Sequence, residues 1–465
     1  MSAANETFRD SIGTITEKGS RNWIFARQPE GRLYNARTVV SIIYLIVFFT
    51  LPWIKVNGEP LFMFNFIDRK FILFSVVFWP QDFFVFVIGM LTFLVFIVLF
   101  TVVFGRIFCG WVCPQTIFME MIFRKVEYWI DGNSEKQKAL AHGPWNGKKV
   151  FKRTAKFIVF FLLSFLIANY FLAYLMGMDH VLLYIKEGIP KHIGTFIPLI
   201  AFTSVFFFVY WWFREQACLI VCPYGRLQGV MLDPNSIVVA YDYVRGEPRG
   251  KIKKDEPKKF GDCVDCKLCV HVCPTGIDIR NGTQLECVNC TACIDACDSV
   301  MLHINKPTGL IRYASENNIA KGEKLKPTAR SYAYSVVLLI LMSVLVVLLS
   351  TRKDIQATVM RVQGMLYQEQ LDNKISNLYN IKLINKTRKD LPVTLKVENN
   401  ELGGEVKVVG NDIVIKSESA GDGVFFVMAD RSKIHNRKNA IEIGVYSGGK
   451  KIDMVKTNFM GPGNR

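Results

Sequence analysis

Five long apolar segments constrain the fold of this 465-residue chain more than any other feature. Each has the roughly 17–25 mostly apolar residues that a helix needs to cross a bilayer. They are Thr38–Ile54, Phe83–Phe104, Phe157–Met176, Ile193–Phe213 and Ala333–Ser350. Segment 1–37 is polar, with no early apolar stretch or small-residue cleavage site, so it does not resemble a secretory signal. We therefore expect a five-helix membrane protein whose first span stays in place as an anchor.

The distribution of basic residues predicts the orientation of these spans. Lys and Arg number six in segment 1–37, ten in 105–156 and seventeen in 214–332, but only three in 55–82 and two in 177–192. Because basic loops stay on the cytoplasmic side, the N-terminal segment and the two long loops are predicted to be cytoplasmic. Residues 351–465 would then lie outside. The net charge of +17 is expected to face membrane lipid, and no nucleic-acid motif accompanies it.

Eight cysteines occur in two runs of the form C-x2-C-x2-C-x3-C, inside the loop 233–332. The first run is Cys263, Cys266, Cys269 and Cys273, and the second is Cys287, Cys290, Cys293 and Cys297. In bacterial ferredoxins, three thiolates of such a run bind one 4Fe–4S cluster and the fourth binds its neighbour. We therefore predict a two-cluster ferredoxin domain over about 258–307. Cluster 1 would be bound by Cys263, Cys266, Cys269 and Cys297, and cluster 2 by Cys287, Cys290, Cys293 and Cys273.

Zinc sites, redox dithiols and disulfides are the alternatives to clusters for these eight cysteines. A lone C-x2-C also occurs in zinc knuckles and redox dithiols, but two complete runs within 35 residues favour clusters. A cytoplasmic location disfavours disulfides. Asp298 stands where the first run has Pro274, which removes no ligand.

The remaining four cysteines form two C-x3-C-P units, within a predicted four-helix membrane core spanning 38–232. Cys109 and Cys113 follow the second span, and Cys218 and Cys222 follow the fourth. A residue before proline avoids the helical conformation, and proline suits the first turn of a helix. Each span is therefore predicted to end near its second cysteine. Cys113 and Cys222 would lie at helix N-termini, where the helix dipole favours the thiolate.

The sequence leaves the chemistry of these four cysteines open. They could bind a third cluster, bind Cu(I), act as two redox dithiols, or be inert buried thiols. The five spans contain no histidine, which disfavours a membrane haem. The chain also lacks a Walker A loop, and no G-x-G-x-x-G motif follows a strand, so no nucleotide site is expected.

The segment after the fifth span is predicted to be a separate domain. Residues 351–378 include Asp354–Leu378, rich in Met, Gln and Leu, and are predicted as a helical connector. Short alternating runs follow in 379–465, which predicts a β-sandwich of the immunoglobulin-like kind. The predicted strands are Tyr379–Ile384, Val393–Val397, Glu405–Ile415, Gly423–Met428, Ala440–Tyr446 and Lys451–Thr457.

These motifs resemble the FixG/RdxA/CcoG family of bacterial membrane polyferredoxins, the cytochrome c oxidase accessory proteins. The most specific parts are Gly105–Thr116, Cys218–Gln228, Val239–Asp242, Arg245–Gly250 and both ferredoxin runs. The resemblance implies an accessory factor that reduces Cu(II) to Cu(I) during assembly of a haem–copper terminal oxidase. The implied partners are copper ion and the oxidase subunits or their copper-delivery factors. It also implies that the C-terminal β-region is immunoglobulin-like.

Three functional hypotheses follow from the sequence. The first is a cupric reductase in which Cys109, Cys113, Cys218 and Cys222 are the candidate redox or copper thiols. The second is a quinol-linked electron conduit to a partner reductase. The third is an assembly scaffold whose clusters only hold the loop folded. The sequence does not identify the electron donor.

Overall fold

The computed structural model describes residues 13–462 except 16–19, 57, 67–69, 75, 80–81, 252–259, 325–326, 352–354, 363, 371–372, 388, 399–401, 411–412, 418 and 435. The predictions for residues 1–12, 16–19 and 258–259 lie outside the described residues. The chain forms two compact units, Met1–Leu345 and Val346–Arg465, which are considered separately.

The helices carry the membrane part and the cysteine motifs of the chain. In chain order they are α1 (Arg32–Thr50), α2 (Phe83–Phe104), α3 (Ile107–Trp111), α4 (Pro114–Ile117), α5 (Arg124–Asp131), α6 (Ser134–His142), α7 (Gly147–Met176), α8 (Met178–Glu187), α9 (Ile193–Phe208), α10 (Pro223–Met231), α11 (Tyr243–Gly246), α12 (Leu268–His271), α13 (Ala292–His303), α14 (Glu316–Lys321) and α15 (Ala329–Ser350). Three π-helical turns, Phe118–Phe123, Val209–Phe213 and Ala217–Val221, lie between them.

Five helices in the described part of the chain are long and apolar enough to cross a membrane, as predicted. They are Arg32–Trp53, Phe83–Phe104, Gly147–Met176, Ile193–Phe213 and Ala329–Ser350. Three of them begin earlier than the apolar pattern indicates, because polar turns ahead of the apolar run are also helical. The clearest case is α7, where the side chain of Asn146 caps the helix by accepting from the Lys149 N–H at 2.9 Å.

Aromatic packing joins the apolar helices near the cysteine motifs. Phe123 stacks on Tyr210 with ring centroids 4.5 Å apart, and it also meets Phe160 edge-on at 4.9 Å. Phe118 and Met119 are buried in the same cluster. These contacts fix the segment after the first C-x3-C-P unit against α7 and the fourth span.

Short strands occupy two loops of the first unit. The loop after α1 contains β1 (Lys55–Val56), β2 (Glu59–Pro60) and an antiparallel sheet of β3 (Phe62–Asn65), β4 (Lys70–Leu73) and β5 (Val76–Phe78). In the loop after α10, β6 (Val238–Tyr241) pairs with β7 (Ile311–Ala314). This second pair brackets the ferredoxin region, because one strand precedes both cysteine runs and the other follows them.

The second unit contains two antiparallel sheets that enclose one core. Its strands are β8 (Ile355–Arg361), β9 (Gln368–Glu369), β10 (Lys374–Asn385), β11 (Leu391–Val397), β12 (Glu405–Val408), β13 (Ile413–Ile415), β14 (Ala420–Asp430), β15 (Lys438–Ser447) and β16 (Lys450–Met460). One sheet has the order β12-β14-β10-β8, with β9 paired to β10, and the other has the order β13-β11-β15-β16. Tyr379 stacks on Phe425 at 5.4 Å in the core, and its hydroxyl donates to Asn458 O at 2.9 Å.

Two predictions for this unit are wrong. Asp354–Leu378 is not a helical connector in its described part, because β8 and β9 lie there and β10 begins at Lys374. Helix-favouring composition is overridden by cross-strand pairing, as β8 runs antiparallel to β10. Glu405–Ile415 is not one strand either. Its first part, β12, pairs with β14, and its last part, β13, pairs with β11 in the other sheet.

Candidate iron–sulfur and thiol sites

The first ferredoxin cavity collects four thiols from both cysteine runs. Its wall contains Cys263, Cys266, Cys269 and Cys297, together with apolar side chains such as Met301 and Leu310. Cys269 lies on α12 and Cys297 on α13. The structure thus brings together the four thiols predicted for cluster 1, and their binding to iron stays a prediction.

The second ferredoxin cavity contains the other predicted set. Cys273, Cys287, Cys290 and Cys293 line it. Cys269 lines this cavity as well as the first one, so the two cavities are separated by little more than a side chain. Two redox centres at such neighbouring positions would be suited to passing single electrons.

The same backbone turn wraps both cavities. In the first run Asp265 and Lys267 flank Cys266 with φ of 52° and 57°, and in the second Asn289 and Thr291 flank Cys290 with φ of 53° and 66°. Left-handed conformation is uncommon for residues other than glycine. The left-handed conformation recurs at equivalent positions of the two runs, so each loop bends around its own cavity. This bend directs the first three thiols of each run to one centre.

Burial controls the protonation of these thiols. Burial raises the pKa of Cys269 and of Cys287 to about 12, and that of Cys290 to about 11. Without a metal these thiols would be neutral at pH 7. Metal binding must therefore displace their protons, as it does wherever cysteine acts as a ligand.

The donor set and the apolar lining of the ferredoxin cavities fit 4Fe–4S clusters. Within the described residues, no three His, Cys, Asp or Glu side chains are placed to hold one metal ion. A cubane differs from a single ion because each thiolate binds a different iron atom, so its sulfur ligands lie farther apart. Each cavity has its four predicted thiols on a mostly apolar wall, with Cys269 also at the edge of the second one, and thiols in an apolar wall suit such a cluster.

The two C-x3-C-P units share one local geometry. The prediction from the prolines that each span ends near its second cysteine is wrong. The helices end at Phe104 and Phe213, as the apolar segments predict. Gly105 and Arg214 break them with nearly the same backbone angles, φ 55° and ψ −127° against φ 50° and ψ −123°. In both units the first cysteine follows this break by four residues and lies in a short separate turn. The positive φ of Arg214 was not evident from its residue type.

The second cysteine of each unit lies where the sequence predicts it. Cys113 is the N-terminal cap of α4 and Cys222 that of α10, and a proline occupies the first position of both helices. Their location at helix N-termini is therefore confirmed.

The four cysteines of these units converge, and we call them the four-thiol site (Cys109, Cys113, Cys218 and Cys222). Burial raises the pKa of Cys109 to about 11 and that of Cys218 to about 12. Cys113 and Cys222 also raise the pKa of both thiols, and they do so less than burial does. The site therefore combines soft ligands from both halves of the membrane core.

Arg106 and Gln228 join the two halves of this site. Arg106 donates from Nε to Gln228 Oε1 at 3.0 Å, and the Cys109 thiol donates to the same oxygen at 3.2 Å. Gly225 permits this approach, since a Cβ there would lie 2.8 Å from Cys218 O and 3.0 Å from an Arg106 nitrogen. A larger residue at position 225 would push the two units apart.

The four-thiol site adjoins the second ferredoxin cavity. A Cβ on Gly110 would lie 2.5 Å from Val288 O, so α3 packs directly on the second cysteine run. Cys109 and Cys290 belong to one buried apolar cluster. Arg37 of α1 holds this junction by donating from Nε to Gly110 O at 2.7 Å. The three thiol-lined sites are therefore contiguous.

A second anchor attaches the ferredoxin helix to the first span. The Asp295 carboxylate, between two predicted ligands on α13, accepts from the N–H groups of Leu33 and Tyr34 at 3.1 and 2.7 Å. It thereby satisfies donors at the start of α1. Asp298 has a structural role instead, accepting from Gly309 N–H at 2.8 Å.

Sequence reasoning did not assign roles to Arg37, Arg106, Gln228 or Asp295. Arg106 and Gln228 lie in the segments that carry the family resemblance, which was the available signal. Arg37 and Asp295 carried no signal, because their partners are 73 and more than 260 residues away.

Fold and site together define a membrane iron–sulfur protein with a two-cluster ferredoxin region and a separate β-sandwich. Three protein-family models match the parts of the chain that carry these features. Residues 213–316 match a 4Fe-4S dicluster domain, residues 86–136 a 4Fe-4S binding domain, and residues 345–462 the "IG-like fold at C-terminal of FixG". The predicted immunoglobulin-like class of the second unit is confirmed.

Relatives of known name cover most of the chain. RdxB of Cereibacter sphaeroides is 34% identical over 79% of this chain and 80% of its own length. RdxA of the same organism is 33% identical over 82% of this chain and 83% of its own. FixG of Rhizobium meliloti is 36% identical over 66% of this chain and 60% of its own. The chain belongs to the FixG/RdxA family.

Proposed function

We propose that this protein transfers single electrons at the bacterial inner membrane and reduces Cu(II) to Cu(I) for assembly of a haem–copper terminal oxidase. The observation that carries the proposal is the contiguity of the three thiol-lined sites. Cys269 lines both ferredoxin cavities, and Gly110 brings the four-thiol site against the second one. Such an arrangement connects a buried ferredoxin region to a thiol site at the ends of the membrane helices.

Each site has a distinct part in this proposal. The eight ferredoxin cysteines would hold two 4Fe–4S clusters, which supply one-electron chemistry when bound. The four-thiol site would bind the substrate, copper, because soft thiolates favour Cu(I) over Cu(II). Burial keeps Cys109 and Cys218 protonated before copper arrives. Binding of Cu(I) would displace those protons, so the site would release protons as it takes up the reduced ion.

Orientation and partners are part of the proposal. The excess of Lys and Arg in 105–156 and 214–332 supports a cytoplasmic ferredoxin region, with the β-sandwich on the periplasmic side. There the sandwich would bind oxidase subunits or their copper-delivery factors. Accessibility of introduced cysteines to a membrane-impermeant maleimide in intact cells tests this orientation. Labelling at Lys450→Cys but not at Lys138→Cys is expected.

Copper reduction is tested with purified protein in lipid vesicles. Protein reduced by dithionite and freed of excess reductant should convert Cu(II) to Cu(I), one ion per stored electron, as detected with a Cu(I)-specific chelator. A variant with the eight ferredoxin cysteines replaced by Ser should lose this conversion. Undiminished conversion by that variant would show that the ferredoxin region is not the source of electrons. Deletion of the whole β-sandwich, residues 355–465, should spare reduction but abolish co-purification with the oxidase.

A further inference from the structure

A wide cavity lies at the cysteine-bearing end of the membrane helices, apart from the thiol sites. Its volume is about 520 Å³. The N-terminal segment, the end of α6, the start of α7 and the end of the fourth span form its wall. Four basic side chains, Arg21, His142, Arg153 and Lys156, line it together with several aromatic rings, and no carboxylate is among its described lining residues.

The cavity is located where the apolar part of two membrane helices ends. Lys156 is the last basic residue of α7 before the apolar run that begins at Phe157. Trp211 and Trp212 are near the end of the fourth span. Tryptophan is enriched at the level of lipid headgroups, so the cavity opens at that level.

The Arg21 guanidinium is held in an unusual way. It lies between the rings of Trp23 and Trp212, 4.2 and 5.2 Å from their centroids. Its Nη2 is 3.3 Å from Glu215, whereas Nε and Nη1 are buried without a described hydrogen-bond partner. A cation removed from water with open donors is costly, and an anion nearby would offset that cost.

The other basic side chains near the cavity differ in whether protein groups already hold them. Lys156 is buried and paired with Glu127 and Asp131. Lys149 donates from Nζ to the carbonyls of Ala141 and Gly143, which positions the turn that carries His142. Arg153 is half-buried one turn before Lys156 and has no ion pair among the described residues. It is therefore the cation that is available to a ligand.

We propose that this cavity binds the phosphate of an anionic phospholipid headgroup, such as phosphatidylglycerol. Arg153 and Arg21 would neutralise the phosphate, and the tryptophans would contact the glycerol region. The volume far exceeds that of a free phosphate ion. Phe157, which is exposed at the start of the apolar run of α7, provides apolar surface for the acyl chains. Since Arg21 contacts Glu215, three residues before Cys218, the bound lipid would also hold the N-terminal segment beside the four-thiol site.

The test is a binding titration on the cluster-loaded full chain in neutral detergent. The probes are dihexanoyl-phosphatidylglycerol, dihexanoyl-phosphatidylcholine, inorganic phosphate and a short-chain quinone. Phosphatidylglycerol should bind saturably at one site, and Arg153→Gln should weaken it about fivefold. Arg153→Lys should retain most of the affinity. Lys138→Gln, which removes the same charge from an exposed position outside the cavity, should bind as the unmodified protein does.

Several results would overturn the proposal. Equal binding of phosphatidylglycerol and phosphatidylcholine would remove the requirement for an anion. Inorganic phosphate binding as tightly as phosphatidylglycerol would indicate a free-anion site, and displacement by the quinone alone would indicate a quinone site. Equal losses in Arg153→Gln and Lys138→Gln would mean that only net charge matters. Cluster absorbance checks that each variant is folded. If a variant does not fold, the difference between phosphatidylglycerol and phosphatidylcholine binding to the unmodified protein still tests the proposal.

Discussion

Arg106 and Gln228, which are 122 positions apart, form a buried hydrogen bond of 3.0 Å that ties the first C-x3-C-P unit to the second. The positive charge of Arg106 lowers the pKa of Cys109 and Cys218 in the four-thiol site, although burial outweighs it. It acts in the same direction on Cys287 in the second ferredoxin cavity. One guanidinium is thus shared by two neighbouring sites, and it favours negative charge in both.

Replacing Arg106 should make the nearest redox centre harder to reduce. Reduction adds negative charge, so loss of the guanidinium in Arg106→Gln should lower the reduction potential. A shift on the order of 60 mV would correspond to a tenfold change in a one-electron equilibrium. A potentiometric titration monitored by EPR measures it. Arg226→Gln, on the exposed face of α10, is the matched control and should leave the potential unchanged. An equal shift in both variants would assign the effect to net charge.

Gly110→Ala should loosen the junction between α3 and the second cysteine run. The added Cβ would lie 2.5 Å from Val288 O and 2.7 Å from Asn289 O, so backbone must move. Overpacking of this kind typically costs about 1–3 kcal/mol in the free energy of unfolding. A lower melting temperature and earlier loss of iron on heating would report it. Gly147→Ala has no atom within 4 Å of its new Cβ and should not destabilise the protein. Equal behaviour of the two variants would contradict the close contact.

Glu127 should contribute stability that disappears in acid. Burial alone would raise its pKa, but Arg214 and Lys156 outweigh burial and lower the pKa to about 2, from an ordinary value of 4.5. A carboxyl with a lowered pKa in the folded state stabilises above its unfolded pKa. This contribution is therefore complete above about pH 4.5 and is lost as the pH falls toward 2.

The test of Glu127 compares melting temperatures of Glu127→Gln and the unmodified protein from pH 8 to pH 3. At neutral pH, the substitution removes one carboxylate from two buried cations, leaving Lys156 with Asp131 and Arg214 with Glu215. It should cost at most about 3–5 kcal/mol. The difference between the two proteins should be constant down to about pH 5 and shrink below it. Because both proteins lose stability in acid for other reasons too, the difference between their melting temperatures isolates the contribution of Glu127. Glu135→Gln, an exposed change on α6, should show no difference at any pH.

The sequence was sufficient to predict structural features that depend on the spacing of nearby residues. The C-x2-C-x2-C-x3-C runs predicted which thiols share a cavity, because each short interval bends the chain around one centre. The apolar lengths predicted five membrane helices. The apolar lengths also predicted the helix ends at Phe104 and Phe213. The left-handed backbone that follows these ends was not predicted, since nothing in the residue types required a positive φ at Arg214.

Structural features that depend on residues far apart in the sequence were harder to predict. The segment Asp354–Leu378 has helix-favouring residues, yet Ile355, Ala357 and Val359 alternate inward along β8. That alternation of period two was the better signal, and pairing with β10 decided the outcome. The contact of Gly110 with the second cysteine run joins residues about 180 positions apart, which no local pattern encodes.

A metal count on anaerobically purified protein, with EPR before and after Cu(I) is added, shows whether the four-thiol site binds copper. We expect about eight iron and eight sulfide per chain, from two 4Fe–4S clusters, and tight uptake of Cu(I). Copper uptake should be lost in the double variant Cys109→Ser with Cys218→Ser, while the iron count stays the same. About twelve iron per chain, with no copper uptake, would instead assign the four-thiol site to a third cluster and rule out copper binding there.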